Sequence, residues 1–288
     1  MKGIILAAGK GTRLYPITRP VCKPLLPIYD KPLIYYPLAT LMQVGISDIL
    51  IIVPPDEKDT FFALLGDGSQ FGISITYDVQ HVPRGIADAF LIGKDFIGDS
   101  SVCLVLGDNI FYSPTITETF HPATLQTSGA TVFGYPVEDP RPFGVVEFDG
   151  EGNAISIEEK PEHPKSNYIV PGIYFYDNQV VKMAETLPPS ARGELEITDI
   201  NLLYLQQKQL KVIPFDQDFI WLDAGTADSL IMSALTIKDL QNKTGKQVAC
   251  LEEIAYEQGL LTLEQVHNIG EELKMTLYGQ YLKSIQET

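Results

Sequence analysis

The sequence predicts an α/β fold built on a doubly wound, mostly parallel sheet. Short apolar segments rich in β-branched residues recur along the first half of the chain, and segments with helical periodicity lie between them. Strands buried on both faces are typical of parallel sheets. An alternation of strands and helices indicates that helices cover both faces of such a sheet. The length of 288 residues is sufficient for one large core or two small ones.

The first half of the chain contains four predicted strands with helices between them. The strand-like segments are 3–7, 49–53, 73–79 and 102–106. The helical segments are 33–44, 58–65 and 86–96. Sheets of this class bind ligands beyond the carboxyl ends of their strands. The loops after residues 7 and 106 are therefore candidate ligand sites.

From about residue 131 the predicted strands follow one another more closely. They are 131–137, 143–149, 154–161 and 168–177, and DGEGN at 149–153 has the composition of a hairpin turn. The remaining predicted elements are helices at 178–187 and 195–207, a strand region at 211–222, a helix at 227–242 and a helical appendage at 252–286. We therefore expect one compact α/β domain with a helical C-terminal extension.

The charge distribution indicates a local site for a polyanion. The formal net charge is −16, which argues against nucleic acid or an anionic membrane as a partner. Residues 1–31 nevertheless carry a net charge of +5, and the rest of the chain carries −21. A basic island in an acidic protein suits a nucleoside triphosphate, although a cluster of cations on a solvated face is the alternative.

Cysteine usage and hydropathy indicate a cytoplasmic protein. The three cysteines are widely spaced and form no Cys-x-x-Cys pair, so neither a zinc site nor a redox dithiol is expected. The longest apolar runs, 49–53 and 102–106, are far too short to cross a bilayer. The first residues show no signal-peptide pattern.

The loop after the first strand reads AGKGTR, from Ala8 to Arg13. A dinucleotide fingerprint would require a third glycine where Leu14 stands, and the P-loop pattern is absent. What remains is a Gly-x-Gly-Thr-Arg loop, whose glycines allow backbone N–H groups to converge on phosphate oxygens. Lys10 adds a cation, and Arg13 offers a planar fork for two oxygens.

Several longer motifs resemble the sugar-1-phosphate nucleotidyltransferase family, and in particular its short bacterial glucose-1-phosphate thymidylyltransferases. The first are GTRLYP at 11–16 and KPLLP at 23–27. Further matches run through nearly the whole chain and are LGDN at 106–109, FGVVEFD at 143–149, EEKP at 158–161, SNYIVPGIYFYD at 166–177, RGELEITD at 192–199, WLDAGT at 221–226 and CLEEIAY at 250–256.

The resemblance implies a reaction and a domain organisation. The reaction is transfer of a thymidylyl group from dTTP to α-D-glucose 1-phosphate, giving dTDP-glucose and pyrophosphate, as in the first step of dTDP-rhamnose and deoxysugar synthesis. It also implies a mixed, Rossmann-like sheet of the nucleotidyltransferase type, with a core at 1–240 and a helical extension at 241–288. The nucleotide-binding half would be about 1–130 and the sugar-binding half about 131–240. The extension would form a subunit interface of a homotetramer.

The resemblance also implies roles for individual residues. Asp108 and Asp223 would bind Mg²⁺, since each ends an apolar strand-like run and both would lie at the same edge of the sheet. Arg13, Lys23 and Lys160 would be the catalytic cations. Arg13 would stabilise the β- and γ-phosphates, and Lys160 would neutralise the sugar phosphate. Lys23 would bind the nucleotide phosphates or help to activate the α-phosphorus.

The remaining implied residues contact the two substrates. Gln80 and Gly85 would recognise the thymine, and Glu159 would accept hydrogen bonds from vicinal sugar hydroxyls. The full nucleotide set is Leu6, Ala8, Gly9, Gly11, Thr12, Arg13, Lys23, Gln80, Pro83, Gly85, Asp108 and Asn109. The sugar-phosphate set is Gly144, Glu159, Lys160, Val170 and Tyr174.

Two alternative functions share these motifs. One is a uridylyl- or cytidylyltransferase that acts on the same sugar phosphate. The resemblance implies a Mg²⁺-assisted, single in-line displacement for it as well as for the thymidylyltransferase. The other is a non-catalytic sugar-nucleotide sensor, although a sensor does not require all four of Arg13, Asp108, Lys160 and Asp223, which are present. A dinucleotide-dependent oxidoreductase is disfavoured by the missing glycine, and a bifunctional acyltransferase by the lack of hexapeptide repeats.

Overall fold

A large mixed sheet crosses the molecule in the computed structural model, which describes residues 1–9 and 11–287. The strands in this part of the chain are β1 (Lys2–Leu6), β2 (Pro27–Ile28), β3 (Lys31–Pro32), β4 (Asp48–Val53), β5 (Ser74–Val79), β6 (Val102–Leu106), β7 (Asn109–Tyr112), β8 (Ala130–Pro136), β9 (Gly144–Phe148), β10 (Ala154–Glu159), β11 (Tyr168–Ile169), β12 (Ile173–Tyr176), β13 (Leu210–Pro214) and β14 (Ile220–Asp223). The helices are α1 (Tyr35–Gln43), α2 (Lys58–Leu65), α3 (Asp88–Ile92), α4 (Lys94–Ile97), α5 (Ile116–Thr124), α6 (Gln179–Thr186), α7 (Ile197–Gln206), α8 (Ala227–Thr244), α9 (Leu251–Glu257), α10 (Leu263–Glu272) and α11 (Leu277–Ser284).

The predicted fold class is confirmed. The large sheet has the strand order β10-β9-β11-β8-β12-β6-β1-β4-β5, and β13 pairs with β8. The four predicted strands of the first half form its parallel part, in the order β6-β1-β4-β5. Beyond β6 the strands are joined by antiparallel pairs except that β13 runs parallel to β8, and β9 and β10 form the predicted hairpin.

Alternate residues of the central strands are buried on opposite faces of the sheet. Ile4 packs with one apolar cluster and Ile5 with the other, and neither is exposed. Helices α3, α6 and α7 cover the face of Ile4, and α1, α2, α5 and the C-terminal helices cover the face of Ile5. Burial of each such side chain contributes on the order of 2 kcal/mol, so the central strands form a rigid support for the loops at their ends.

Three predicted elements are each divided in two. The helix expected at 86–96 is interrupted at Gly93, where a Cβ would lie 2.9 Å from Ile4 on the sheet. The strand expected at 168–177 is β11 and β12, because Pro171 lacks the N–H that would continue the ladder. The region 211–222 is β13 and β14, because the chain turns between Phe215 and Phe219, whose rings stack at 3.8 Å.

The C-terminal extension is helical, as predicted. Helix α9 packs against α1, and α10 and α11 pack against each other. The division of core and extension at 240/241, and of the core at about 130, stays a prediction. Within residues 1–9 and 11–287, no helix is both long and apolar enough to span a bilayer.

Candidate active site

The loop after β1 turns sharply at the carboxyl edge of the parallel strands. Gly11 has a φ of +58°, and a Cβ there would lie 2.8 Å from Cγ2 of Thr18. The Thr18 hydroxyl donates to the Gly11 carbonyl at 2.9 Å. Thr12–Leu14 then forms a single 3₁₀ turn. Lys10 lies outside the described residues.

A buried lysine joins two carboxylates at this edge. Lys23 is only 5% exposed, and its Nζ lies 2.6 Å from Oδ2 of Asp108 and 3.4 Å from Oδ1 of Asp223. The structure therefore brings together the two candidate metal ligands and one of the three candidate catalytic cations.

Asp223 reaches this cluster from a different sheet than we expected. The prediction that it ends a strand of the same sheet as Asp108 is wrong, because β14 pairs with β7 in a separate two-stranded ribbon. In that ribbon Asp223 lies opposite Asn109, the residue after Asp108. Burial raises the pKa of Asp223, and the negative charge of Asp108 raises it further, against the opposing effect of Lys23 and Arg13.

Arg13 lies on the exposed side of the same cluster. Its guanidinium and the Asp223 carboxylate both lie close to Gly225. A Cβ at Gly225 would be 2.9 Å from Nη2 of Arg13 and 2.8 Å from Oδ2 of Asp223. A glycine at 225 therefore leaves room for the side chains of Arg13 and Asp223 next to each other. Because Arg13 is exposed, its guanidinium can contact a ligand that enters from solvent.

Asn109 connects this cluster to the opposite wall of the site. Its buried side chain donates from Nδ2 to Oδ1 of Asp108 at 2.8 Å. Its Oδ1 accepts from the indole N–H of Trp221 at 2.6 Å and from the backbone N–H of Gly172 at 3.1 Å. The amide is thus held from three sides, and it fixes the orientation of the Asp108 carboxylate.

A cavity of about 560 Å³ extends from the cluster towards the antiparallel part of the sheet. Its walls include nine of the predicted site residues, which are Arg13, Asp108, Asn109, Gly144, Glu159, Lys160, Val170, Tyr174 and Asp223. The other predicted residues do not line this cavity. In the sequence they lie at or soon after the end of β1, in the segment of Lys23, or soon after the end of β5. They are Leu6, Ala8, Gly9, Gly11, Thr12, Lys23, Gln80, Pro83 and Gly85.

Glu159 lies between two cations on the far wall of the cavity. Its Oε1 is 3.2 Å from Nζ of Lys160 and 3.3 Å from Nη2 of Arg192, and its Oε2 accepts from the Thr198 hydroxyl. Lys160 has a φ of +44°, which is uncommon for a residue with a side chain and is concentrated at functional sites. A carboxylate has about four acceptor positions, so Glu159 retains capacity for a ligand hydroxyl.

The floor beneath Glu159 is formed by buried residues of neighbouring strands. The Val170 N–H donates to the Gly144 carbonyl at 2.9 Å, which joins two predicted sugar-site residues through the backbone. Tyr174 is 3% exposed, and its pKa is raised by burial and further by the charges of Glu159 and Asp108. Its phenol therefore stays neutral at physiological pH.

The segment predicted to recognise the base is held by backbone contacts. Gly85 has a φ of +105°, and a Cβ there would lie 2.4 Å from the carbonyl oxygen of Leu195. That carbonyl accepts from the Ala87 N–H, and the Leu195 N–H donates to the Arg84 carbonyl. The glycine is thus required by this close backbone approach.

Comparison with known proteins gives the family. The family model described as nucleotidyl transferase matches residues 2–239. The chain belongs to the nucleotidyl transferase family. It is 56% identical over 282 residues to a glucose-1-phosphate thymidylyltransferase of Neisseria gonorrhoeae, with 98% of each chain covered. It is 49% identical over 287 residues to the Mycobacterium tuberculosis protein of that name, with 100% of this chain and 99% of that protein covered.

Solved structures of nucleotidyl transferases have the same fold. A Bacillus anthracis protein assigned as a glucose-1-phosphate thymidylyltransferase, crystallised with sucrose, gives a TM-score of 0.77 at 44% identity and covers 83% of this chain and 96% of its own. UDP-glucose pyrophosphorylase with UDP-glucose gives a TM-score of 0.70 at 23% identity, with 83% and 98% covered. At that identity the second likeness concerns the fold alone.

Three residues of this nucleotidyl transferase site were missed by reasoning from sequence. Arg192 and Thr198 contact Glu159, and Trp221 donates to Asn109. Arg192 and Thr198 belong to the RGELEITD motif and Trp221 to WLDAGT, which were recognised without a role for these residues. The motifs were the only available signal, because each contact joins distant parts of the chain.

Proposed function

We propose that this protein transfers a thymidylyl group from dTTP to α-D-glucose 1-phosphate, releasing pyrophosphate and forming dTDP-glucose. The relatives named for this activity match nearly the full length of the chain at 49–56% identity. The observation that carries the proposal is one cavity that joins Arg13, Asp108 and Asp223 at the sheet edge to Glu159 and Lys160. Such a cavity can hold two polyanionic substrates next to each other.

The reaction is a single displacement at phosphorus. An oxygen of the sugar phosphate attacks the α-phosphorus of dTTP, the bond from that phosphorus to the bridging oxygen of pyrophosphate breaks, and pyrophosphate leaves with the electron pair. Little covalent work falls to the protein, so positioning and charge stabilisation supply most of the rate. In our account Arg13 contacts the leaving β- and γ-phosphates, Lys23 the α-phosphate, and Lys160 the sugar phosphate.

The carboxylates at the sheet edge fit a magnesium ion. Asp108 and Asp223 both approach the Lys23 ammonium, so their oxygens converge on one cationic position. In the described part of the chain, no group of three or more His, Cys, Asp or Glu side chains could hold a metal alone. Mg²⁺ commonly takes one or two carboxylates together with substrate phosphates, and this pair suits that mode. When bound, Mg²⁺ offsets negative charge on the phosphates.

The substrates are recognised at opposite ends of the site. We assign the thymine to Gln80, Pro83 and Gly85, beyond the end of β5, and the triphosphate to the loop after β1. The loop contributes Leu6, Ala8, Gly9, Gly11 and Thr12, and Asn109 completes the nucleotide set. We assign the sugar hydroxyls to the walls formed by Gly144, Glu159, Val170 and Tyr174.

Exposed apolar residues support assembly into a homotetramer. On α8, Ile231, Met232 and Leu235 are 59%, 57% and 46% exposed, and Met275 and Leu277 before and within α11 are 90% and 82% exposed. Exposed apolar side chains that cluster on one helix, as on α8, are typical of subunit interfaces. Light scattering after gel filtration gives the subunit number, and a monomer would contradict the proposed homotetramer.

The three cysteines are free and buried, which accords with a cytoplasmic location.

A substrate panel tests the proposed function. Pyrophosphate release is measured for dTTP, UTP, dCTP and ATP, each with glucose 1-phosphate, galactose 1-phosphate or glucosamine 1-phosphate, with Mg²⁺ and with EDTA. We expect the highest kcat/KM for dTTP with glucose 1-phosphate, and loss of activity with EDTA. Higher kcat/KM for UTP or dCTP would favour the alternative nucleotidyltransferases. Binding without pyrophosphate release would favour a sensor.

A further inference from the structure

A buried carboxylate beside Gln80 has no role in the mechanism above. Asp88, at the start of α3, is only 1% exposed. Its Oδ2 accepts from Nε2 of Gln80 at 3.0 Å, and its Oδ1 accepts from Nη2 of Arg84 at 2.7 Å. The carboxylate therefore joins a predicted base-recognition residue to an arginine four positions earlier.

Asp88 determines which end of the Gln80 amide faces it. A carboxylate paired with a guanidinium only accepts hydrogen bonds, so the NH₂ group of the amide must point towards Asp88. The second neighbour of Nε2 is the Gly85 carbonyl oxygen at 3.5 Å, which is also an acceptor. Rotation of the amide by half a turn would set oxygen against oxygen on this side. The Gln80 Oε1 atom is therefore held on the side away from Asp88.

Arg84 makes this arrangement compatible with burial. Its side chain is 57% exposed, whereas that of Asp88 is 1% exposed, so the guanidinium neutralises the buried charge from the solvent side. Burial of a carboxylate without such a partner would be strongly unfavourable. Gln80 is itself 7% exposed, and its amide donates to Asp88 at 3.0 Å.

We propose that Asp88 is a positioning residue that sets the choice of nucleotide base through Gln80. The inference rests on the proposed function, in which Gln80 contacts the base. An Oε1 atom held as an acceptor matches the N3–H of thymine or uracil. Cytosine has an acceptor at N3, so it would face Oε1 with an unfavourable contact. Discrimination against cytosine then depends on the fixed orientation of the amide and not only on its presence.

The test is a change in nucleotide selectivity. In Asp88→Asn the new amide can donate as well as accept, so Gln80 can present either end to the base. We expect KM for dTTP to rise about tenfold with little change in kcat, and the ratio of kcat/KM for dTTP over dCTP to fall at least about tenfold. The assay is pyrophosphate release with glucose 1-phosphate and Mg²⁺. Asp78→Asn on β5, exposed and with the same charge change, should keep the wild-type ratio.

Two further variants separate positioning from structural support. Arg84→Lys keeps a cation beside an intact Asp88, so the ratio should stay within about twofold of wild type. If Asp88→Asn fails to give a cooperative melt, Asp88→Ser replaces it, because serine also offers a donor. We expect the same fall in the dTTP over dCTP ratio for Asp88→Ser as for Asp88→Asn. An unchanged ratio in the Asp88 variants, or an equal loss for both nucleotides, would overturn the inference. A wild-type protein without preference for dTTP over dCTP would instead refute the proposed function.

Discussion

Neutralising either carboxylate next to Lys23 should abolish most activity, but the two variants should differ in stability. We expect Asp108→Asn and Asp223→Asn each to lower kcat at least about 100-fold, because each removes a carboxylate proposed to hold the Mg²⁺ that offsets negative charge on the phosphates. The stability difference follows from the geometry. Lys23 Nζ is 2.6 Å from Asp108 and 3.4 Å from Asp223, and Lys23 is almost completely buried.

The magnitudes can be worked out from these contacts. Breaking a buried ion pair costs about 3–5 kcal/mol. The Asp108 side chain is 32% exposed and Asp223 remains near the ammonium, so we expect a loss of about 1–3 kcal/mol of unfolding free energy for Asp108→Asn. Asp223→Asn leaves the shorter ion pair in place and relieves repulsion from Asp108. Its unfolding free energy should lie within about 1 kcal/mol of wild type.

The assay combines calorimetric melting with pyrophosphate release at limiting Mg²⁺. At about 2–4 °C per kcal/mol, Asp108→Asn should melt about 2–12 °C lower and Asp223→Asn within a few degrees of wild type. Asp218→Asn, an exposed aspartate in the turn before β14, is the matched control and should resemble wild type in both assays. Near-normal activity of either site variant would contradict the metal-site assignment, and a lower melting temperature for Asp223→Asn than for Asp108→Asn would contradict the expected order of stability.

Three further predictions concern the phosphate sites and the extension. Arg13→Ala should strongly lower kcat/KM for dTTP, because it removes a forked contact to the leaving phosphates, whereas Lys160→Ala should mainly raise KM for the sugar phosphate. Steady-state kinetics decides both, and exchanged substrate effects would mean that the two phosphate assignments are reversed. Burial raises the pKa of Glu252, so the folded state holds its proton more tightly than the unfolded chain, and this group's contribution to stability falls as pH rises above about 4.5. The Tm of Glu252→Gln minus the Tm of wild type should therefore become more positive from about pH 5 to about pH 8. A constant difference in Tm over this pH range would contradict the prediction.

The central strands and their loops were predictable because their signals are local. A strand buried on both faces, such as 49–53, is an uninterrupted apolar run, and its pattern needs no knowledge of its neighbours. The Gly-x-Gly-Thr-Arg loop was identifiable for the same reason, because it follows such a run directly. The proximity of Asp108 and Asp223 was expected from residue type and the family resemblance, and the structure places both next to Lys23.

The rest depends on contacts between distant parts of the chain. Asn109 receives its hydrogen bonds from residues 63 and 112 positions later, and no pattern in a single sequence links them. The β7–β14 ribbon that carries Asp223 is likewise a pairing over a long separation. The break at Gly93 comes from close packing on Ile4, which periodicity along the helix does not reveal. Residues with such roles emerge only when the fold is known.

The central claim is that one cavity brings the sugar phosphate to the α-phosphorus of dTTP. Glucose 1-phosphate carrying ¹⁸O in its three phosphoryl oxygens tests it directly, with mass spectrometry of both products after reaction with unlabelled dTTP. Attack by a sugar-phosphate oxygen predicts that all three labels are found in dTDP-glucose and none in pyrophosphate. Label in the released pyrophosphate, or pyrophosphate release without labelled dTDP-glucose, would contradict the account.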